Sequence, residues 1–409
     1  MQVGATAPEN AMKGHPDPEL RRKPMIAFWV ACSGLAIIGL PDGSLGVAWP
    51  SIRTGFGLSE SAFGLILICK TAGGFCAGII SGHLLELRGS RRVLSAAAVL
   101  AACALLVIAV SPAMAGLCVG ALLLGLGLGT IDSGLNATAA LSFDARGINW
   151  MHGCYGLGAM AGPVAMTATI VWSGQSWRIG YICLAIVLAC ASLLFARRAA
   201  NSILVHTEKR GRRGGWNAAR HPLVQLQVVL FFVYTGIEIM LGQWSYSILI
   251  SARGMPDGVA GLCTGAYWGG IAVGRFVLGA IIDRFGADRL LRCCTVSIVF
   301  GSLLFAFANG IWAAGGLIFT GLALSPVFPT LMARAPERLG RSVALHAIGF
   351  KVSAGTVGGT VFSAIGGLLA DAVGLNAISW CAVGASCVLL MLHEALLAAT
   401  YSRNAARSS

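Results

Sequence analysis

The chain has 409 residues, of which 56% are hydrophobic and only 11% charged, and its mean hydropathy is +0.79. A water-soluble domain carries about 25% charged residues, so this composition excludes a soluble globular protein and points to a surface that meets lipid. The net charge of +13 would suit a nucleic-acid binder, but 23 of the 29 lysines and arginines fall on one side of the span order set out below; that positive-inside asymmetry excludes nucleic acid as the partner and predicts cytoplasmic termini.

Crossing a bilayer takes roughly 17 to 25 apolar residues. Twelve stretches meet that length, at 26–48, 61–84, 93–111, 114–138, 150–173, 178–196, 223–250, 258–282, 290–309, 311–333, 343–370 and 375–399. Residues 1–23 precede them as a polar tail with Pro8, Pro16 and Pro18, without the apolar core of a cleaved signal peptide. The expectation is an all-α, multi-pass integral membrane protein of the plasma (inner) membrane. Lipid surrounds it, and one chain is expected to suffice as a monomer.

Span one contains "GLPDGSLGVAWPSI", with Asp42 well inside the apolar run, and span two places Lys70 at similar depth. Between spans two and three lies "GHLLELRGSRR", residues 82–92. Its acid stands one turn before basic residues on the cytoplasmic side, a pattern suited to a charged latch against a neighbouring helix end; a solvated turn serving topology alone would read the same.

Span four carries "GLGLGTIDSGLNA". In helical register Gly125, Gly129, Asp132 and Asn136 share one face, a stripe with little bulk and two polar groups. Span five opens near His152, a candidate proton relay or a surface histidine. The 13 cysteines lie almost all inside spans, where they act as small apolar packing residues, and the Cys293–Cys294 pair lacks metal-ligand spacing. No metal or cofactor is expected.

The six spans of residues 24–196 are joined to a second set, 222–400, by a basic stretch at 197–221, and residues 401–409 close the chain as a second cytoplasmic tail. Sliding the sequence by 197 residues lays Gly39 on Gly236, Gly64 on Gly261, Gly73 on Gly270, Gly89 on Gly286 and Arg92 on Arg289. Two similar halves of six helices each, with a cavity between them, are the expected architecture. In the second half, span seven holds Glu238 on a stripe with Thr235, Gly242 and Ser245, followed by Gln243 and Trp244. Trp244 suits either a stacking face in a pocket or the interfacial aromatic belt. Span eleven holds Lys351 beside Gly355, Gly358 and Gly359.

The loop at 82–92 and its repeat "GAIIDRFGADR", residues 279–289, resemble the two copies of the loop motif of the major facilitator superfamily. The second copy matches at Gly279, Asp283, Arg284, Gly286 and Arg289; the first keeps Gly82, Gly89 and Arg92 but has Glu86 for Asp and Leu87 for Arg. The stretches around Asp42 and Asp132, with "HGCYGLGAMAGP", "YTGIEIMLGQW" and "GLALSPVFPTLMA", are similar to the fucose permease-like branch, whose characterised members resemble sugar:cation symporters. The resemblance implies twelve helices in two pseudo-symmetric halves, motion of a small-molecule substrate by alternating access, and coupling to protons or sodium. It also places acids of the first and fourth spans, here Asp42 and Asp132, in coupling and substrate binding.

Each intramembrane charge costs about 2.5 to 3.5 kcal/mol on insertion scales, and such groups ordinarily face a cavity or pair with one another. Asp42, Asp132 and Glu238 are the expected coupling acids, since a carboxylate can take up a proton when dehydrated and release it when a cavity floods. Asn136, Gln243, Trp244, His152, Lys70 and Lys351 are the expected substrate contacts. The two lysines suit an acidic or zwitterionic solute, unless they serve as counter-ions for the acids. Asn136 suits a substrate hydroxyl or a neighbouring helix equally.

No phosphate-cradling G-x-x-x-x-G-K-[ST] loop is present, and "HEALL" has Leu397 where a metalloprotease has its second histidine, so an ATP-driven pump or an enzyme is not expected. A proton-coupled carrier of a sugar, sugar acid or organic acid is the expected function. A proton-coupled exporter of a metabolite or drug-like compound, and a receptor or scaffold on the same fold, are the alternatives.

Overall fold

In the computed structural model, residues 18–408 are described apart from 144, 175 and 198–217, so the 1–17 segment and most of the 197–221 linker lie outside the described residues. The first half consists of α1 (Pro18–Phe56), α2 (Ala62–Arg88), α3 (Ser90–Val110), α4 (Met114–Ser142), α5 (Ala145–Trp172) and α6 (Trp177–Ala196). The second begins with α7 (Pro222–Ser247), extended by a π-turn at Ile248–Ala252, and continues through α8 (Asp257–Phe285), α9 (Ala287–Phe307) and α10 (Gly310–Leu324). Two short helices, α11 (Val327–Ala333) and α12 (Ala335–Leu339), lead into α13 (Arg341–Val373) and α14 (Asn376–Ser408). Helix begins at Pro18 and runs to Ser408, so parts of both expected tails are helical extensions of the end spans.

Among the described residues no strand occurs, and 11 helical stretches are long and apolar enough to cross a membrane. The twelfth expected span, α8, is present as a 29-residue helix. The break between α10 and α11 falls at Ser325 and Pro326; a proline there has no N–H for the helix ladder.

The halves pack alike. In the first, α1 lies against α5, α2 against α4, and α3 against α4 and α6; in the second, α7 lies against α13, α8 against α10, and α9 against α10 and α14. Contact between halves runs through α5 with α8, α2 with α13 and α1 with α7. Glycines permit the close approaches: a Cβ on Gly46 would collide with the Gln243 carbonyl oxygen, and one on Gly158 with that of Ala36. The start of α1 at Pro18 and the end of α14 at Ser408 lie at one end of the bundle, the terminus-bearing face.

The two loop motifs turn where their glycines permit it. Gly89 and Gly286 have φ of 77° and 78°, conformations open to glycine. The expected latch charges are placed differently: Glu86, Arg92, Arg284 and Arg289 are exposed and form no ion pair among the described residues, while the surroundings of Gly279 and the side chain of Asp283 lie outside them. The acid that ties this end together is Asp288, one residue before Arg289, which meets Arg338 at 2.7 Å and Arg334 at 3.5 Å. It reaches them because α11, which leads into this segment, packs against α9.

Candidate functional site

A central cavity of about 480 Å³ lies between the halves, lined from α1, α2, α4 and α5 on one side and α7, α8, α11 and α13 on the other. Its walls toward the terminus-bearing face include the exposed residues Phe75 and Gly78 of α2 and Val352, Ser353 and Thr356 of α13. At the opposite face the halves close. Trp49 and Phe63 stack with ring centroids 4.9 Å apart, Phe63 meets Trp244 edge-on at 5.2 Å, and the Trp244 indole donates to the Ser363 carbonyl at 2.9 Å. The cavity therefore opens toward the terminus-bearing face and is sealed at the other.

Of the expected site residues, Asp42, Lys70, Asp132, His152, Glu238 and Gln243 line this cavity. The Lys70 ammonium lies 2.6 Å from Asp42, which also accepts the Tyr155 hydroxyl at 3.0 Å. Lys70 is thus a counter-ion, the second of the two roles open to it from sequence. Glu238 meets Arg275 at 3.3 Å with both side chains about 8% exposed, and Arg275 also donates to the His152 backbone carbonyl across the halves. Among the described residues Asp132 forms no ion pair; its partner is Asn136, one turn on, whose amide donates to the carboxylate at 2.8 Å and to the Asp132 carbonyl at 3.0 Å.

Three expected substrate contacts stand elsewhere. Asn136 does not line the cavity, because its amide is spent on Asp132. Trp244 is fully buried in the seal, neither lining the cavity nor reaching an interfacial belt. Lys351 is also fully buried and turned from the cavity; its ammonium donates to Gln227 Oε1 and the Leu331 carbonyl, both at 3.2 Å, over the Phe231 ring. Val352 and Ser353 take the cavity-facing positions beside it, so the lysine points back into the packing of α7 and α11.

Sequence reasoning missed Arg275, Tyr155 and Trp268, all of which line the cavity. Arg275 carried a signal, an arginine within a span, that topology counting absorbed. Tyr155 lay three residues from His152 in a stretch already singled out. Trp268, buried among apolar neighbours, carried none.

A two-half helical bundle with ionisable groups in a central cavity open to one face and sealed at the other is a membrane carrier of the secondary-transport class. The model of the Major Facilitator Superfamily matches residues 31–256 and 226–409, and the chain belongs to that family. It is 23% identical over 389 residues to "Bypass of stop codon protein 6" of Saccharomyces cerevisiae, covering 85% of this chain and 78% of that one. It is 24% identical over 352 residues to a glucose/galactose transporter of Brucella abortus, covering 80% and 83%. Among solved structures it resembles FucP, the E. coli fucose:proton symporter, with a TM-score of 0.64 at 17% identity, covering 92% of this chain and 99% of that one.

Proposed function

We propose that this protein is a proton-coupled symporter that carries a neutral, polyhydroxylated solute of the sugar class into the cytoplasm, with both termini cytoplasmic in the inner membrane. The charge inventory of the cavity carries the reading. Among the described residues, both strong cations that line the cavity are matched, Lys70 to Asp42 and Arg275 to Glu238, which leaves no free lysine or arginine there to hold an anionic solute. The sequence expectation of an acidic or zwitterionic solute depended on Lys70 and Lys351; the first is matched by Asp42 and the second does not reach the cavity. What remains at the wall is hydrogen-bonding chemistry: Gln243 Oε1, Thr235 Oγ1 and the Trp268 indole N–H are buried without partners on residues that line it. Such groups suit hydroxyls, which donate and accept.

Asp132 is the coupling acid in this reading. Protonating Asp42 or Glu238 would leave a cation without its acid, whereas Asp132 gains or loses a proton with only an amide beside it. The sugar names carried by the Brucella and E. coli proteins support the solute class, and the second name supports the proton.

Proteoliposomes loaded with the purified protein test it. An inward pH gradient is expected to drive accumulation of labelled glucose, galactose or fucose, to be abolished by a protonophore and not reproduced by a sodium gradient. Accumulation of sugar acids alone, or no gradient-driven flux of any hexose, overturns the proposal.

A further inference from the structure

Among the described residues, Gln243 is the expected substrate contact whose side chain hydrogen-bonds across the halves. Its amide N–H donates to the Asp42 backbone carbonyl of α1 at 3.0 Å, while its Oε1 is buried with no partner. The residue lies on α7 at the sealed end of the cavity it lines, and Gly46 of α1 lets the Gln243 backbone approach closely. A second bond between the halves, Thr71 of α2 with Thr360 of α13 at 2.6 Å, is also made by cavity-lining residues. The inner layer of the seal is thus built from side chains that face the solute, while the layer beyond it is aromatic.

We propose that Gln243 is the gating residue through which bound solute releases the outer seal. The inference rests on the sugar-symport reading and deepens it. A primary amide offers one donor face and one acceptor, and in the sealed state only the donor is used. A solute hydroxyl at this position satisfies Oε1, and its oxygen replaces the Asp42 carbonyl as acceptor for the N–H. The halves then part at this point without leaving a buried amide unpaired, an outcome that is unfavourable when no solute is present. A solute with two adjacent hydroxyls in reach does this best; one that lacks either hydroxyl binds less tightly and opens the seal less. Solute choice and gate opening are therefore functions of the same amide.

The test places a reporter one turn beyond Gln243. In Ser247→Cys protein reconstituted in proteoliposomes, modification of position 247 by a membrane-impermeant maleimide from the outer side is read by peptide mass spectrometry, with and without a transported hexose. Ser247 is buried, so labelling requires the seal to part. In the otherwise native chain, hexose is expected to change the labelling rate at least threefold, and mono-deoxy analogues in proportion to their binding. Gln243→Met, close in size, is expected to label faster without solute, to lose the hexose response, and to raise KM about tenfold with a smaller change in maximal rate. Asp371→Asn, which weakens a bond between the halves away from the cavity, is expected to label faster while keeping both KM and the hexose response.

Equal hexose responses in native and Gln243→Met backgrounds, with KM within twofold, overturn the proposal, as does labelling in the native background indifferent to a hexose that is transported. If Gln243→Met does not fold, the deoxy-analogue series on native Gln243 decides alone: analogues that bind less well yet open the seal as fully overturn it. Absence of hexose flux in the native chain instead overturns the sugar reading, and faster solute-free labelling of Gln243→Met still reports the bond between the halves.

Discussion

The Asp371 carboxylate, near the end of α13, accepts the backbone N–H of Glu60 at 2.7 Å, and its other oxygen accepts that of Ser61 at 3.0 Å. An acid of the second half thereby holds the first turn of a helix of the first, where backbone donors have no intrahelical partner. Glu60 in turn accepts the Trp49 indole at 2.7 Å and lies 3.2 Å from Arg53, so the outer ends of α1, α2 and α13 form one connected lock.

Asp371→Asn removes the charge while keeping one acceptor oxygen. Because the site is exposed, the loss is about 1 kcal/mol, which moves the balance between the two openings about fivefold toward the outward-open form. Maleimide labelling from the outer side is expected to accelerate by that factor at Ser247→Cys, with hexose affinity in the cavity unchanged. An unchanged rate would assign the lock to the aromatic layer alone.

Asp132→Asn is expected to abolish uphill accumulation driven by a pH gradient while leaving hexose exchange down its own gradient within a few-fold of the native rate. The amide replaces the one cavity acid that has no cation partner, so no ion pair is broken. Counterflow and accumulation measured on the same vesicles separate the two. Retained accumulation removes Asp132 from coupling.

The spans and the twofold repeat were legible because bilayer thickness fixes the length of an apolar run and a parallel repeat leaves glycines in register, as at Gly89 and Gly286. Side-chain direction was not. Periodicity put Asp132 and Glu238 on small, polar stripes, and both line the cavity, but a lone charge such as Lys351 has no stripe to orient it, and only packing shows that it turns toward Gln227. Pairings between distant helices, Asp42 with Lys70 or Asp371 with Glu60, depend on which span neighbours which, and no local pattern encodes that.

Lys351→Gln is therefore expected to leave the hexose KM within twofold, in contrast to a substitution at Gln243. The amide keeps a donor for Gln227 Oε1 or the Leu331 carbonyl, and removing a buried ammonium with no acid in contact offsets the lost bonds, so thermal stability stays within about 2 kcal/mol. Lys351→Ala, which strands both acceptors and opens a cavity, is expected to lower the melting temperature clearly. Transport kinetics and a thermal melt in detergent check both, and a tenfold KM rise in Lys351→Gln would return the lysine to the solute path.

Glu238 and Arg275 are the most deeply buried ion pair described, and removing one partner strands the other. Glu238→Gln or Arg275→Met alone is expected to destabilise the fold by about 3 to 5 kcal/mol, whereas the double substitution recovers most of that loss. Function is expected to divide differently from stability. Arg275 also donates to the His152 carbonyl, so the double variant lacks a bond between the halves that Glu238→Gln retains. It should fold well yet show an altered ratio of exchange to net transport. A double variant as unstable as the worse single one would show that the Arg275 bond to α5, rather than the ion pair, holds this part of the bundle together.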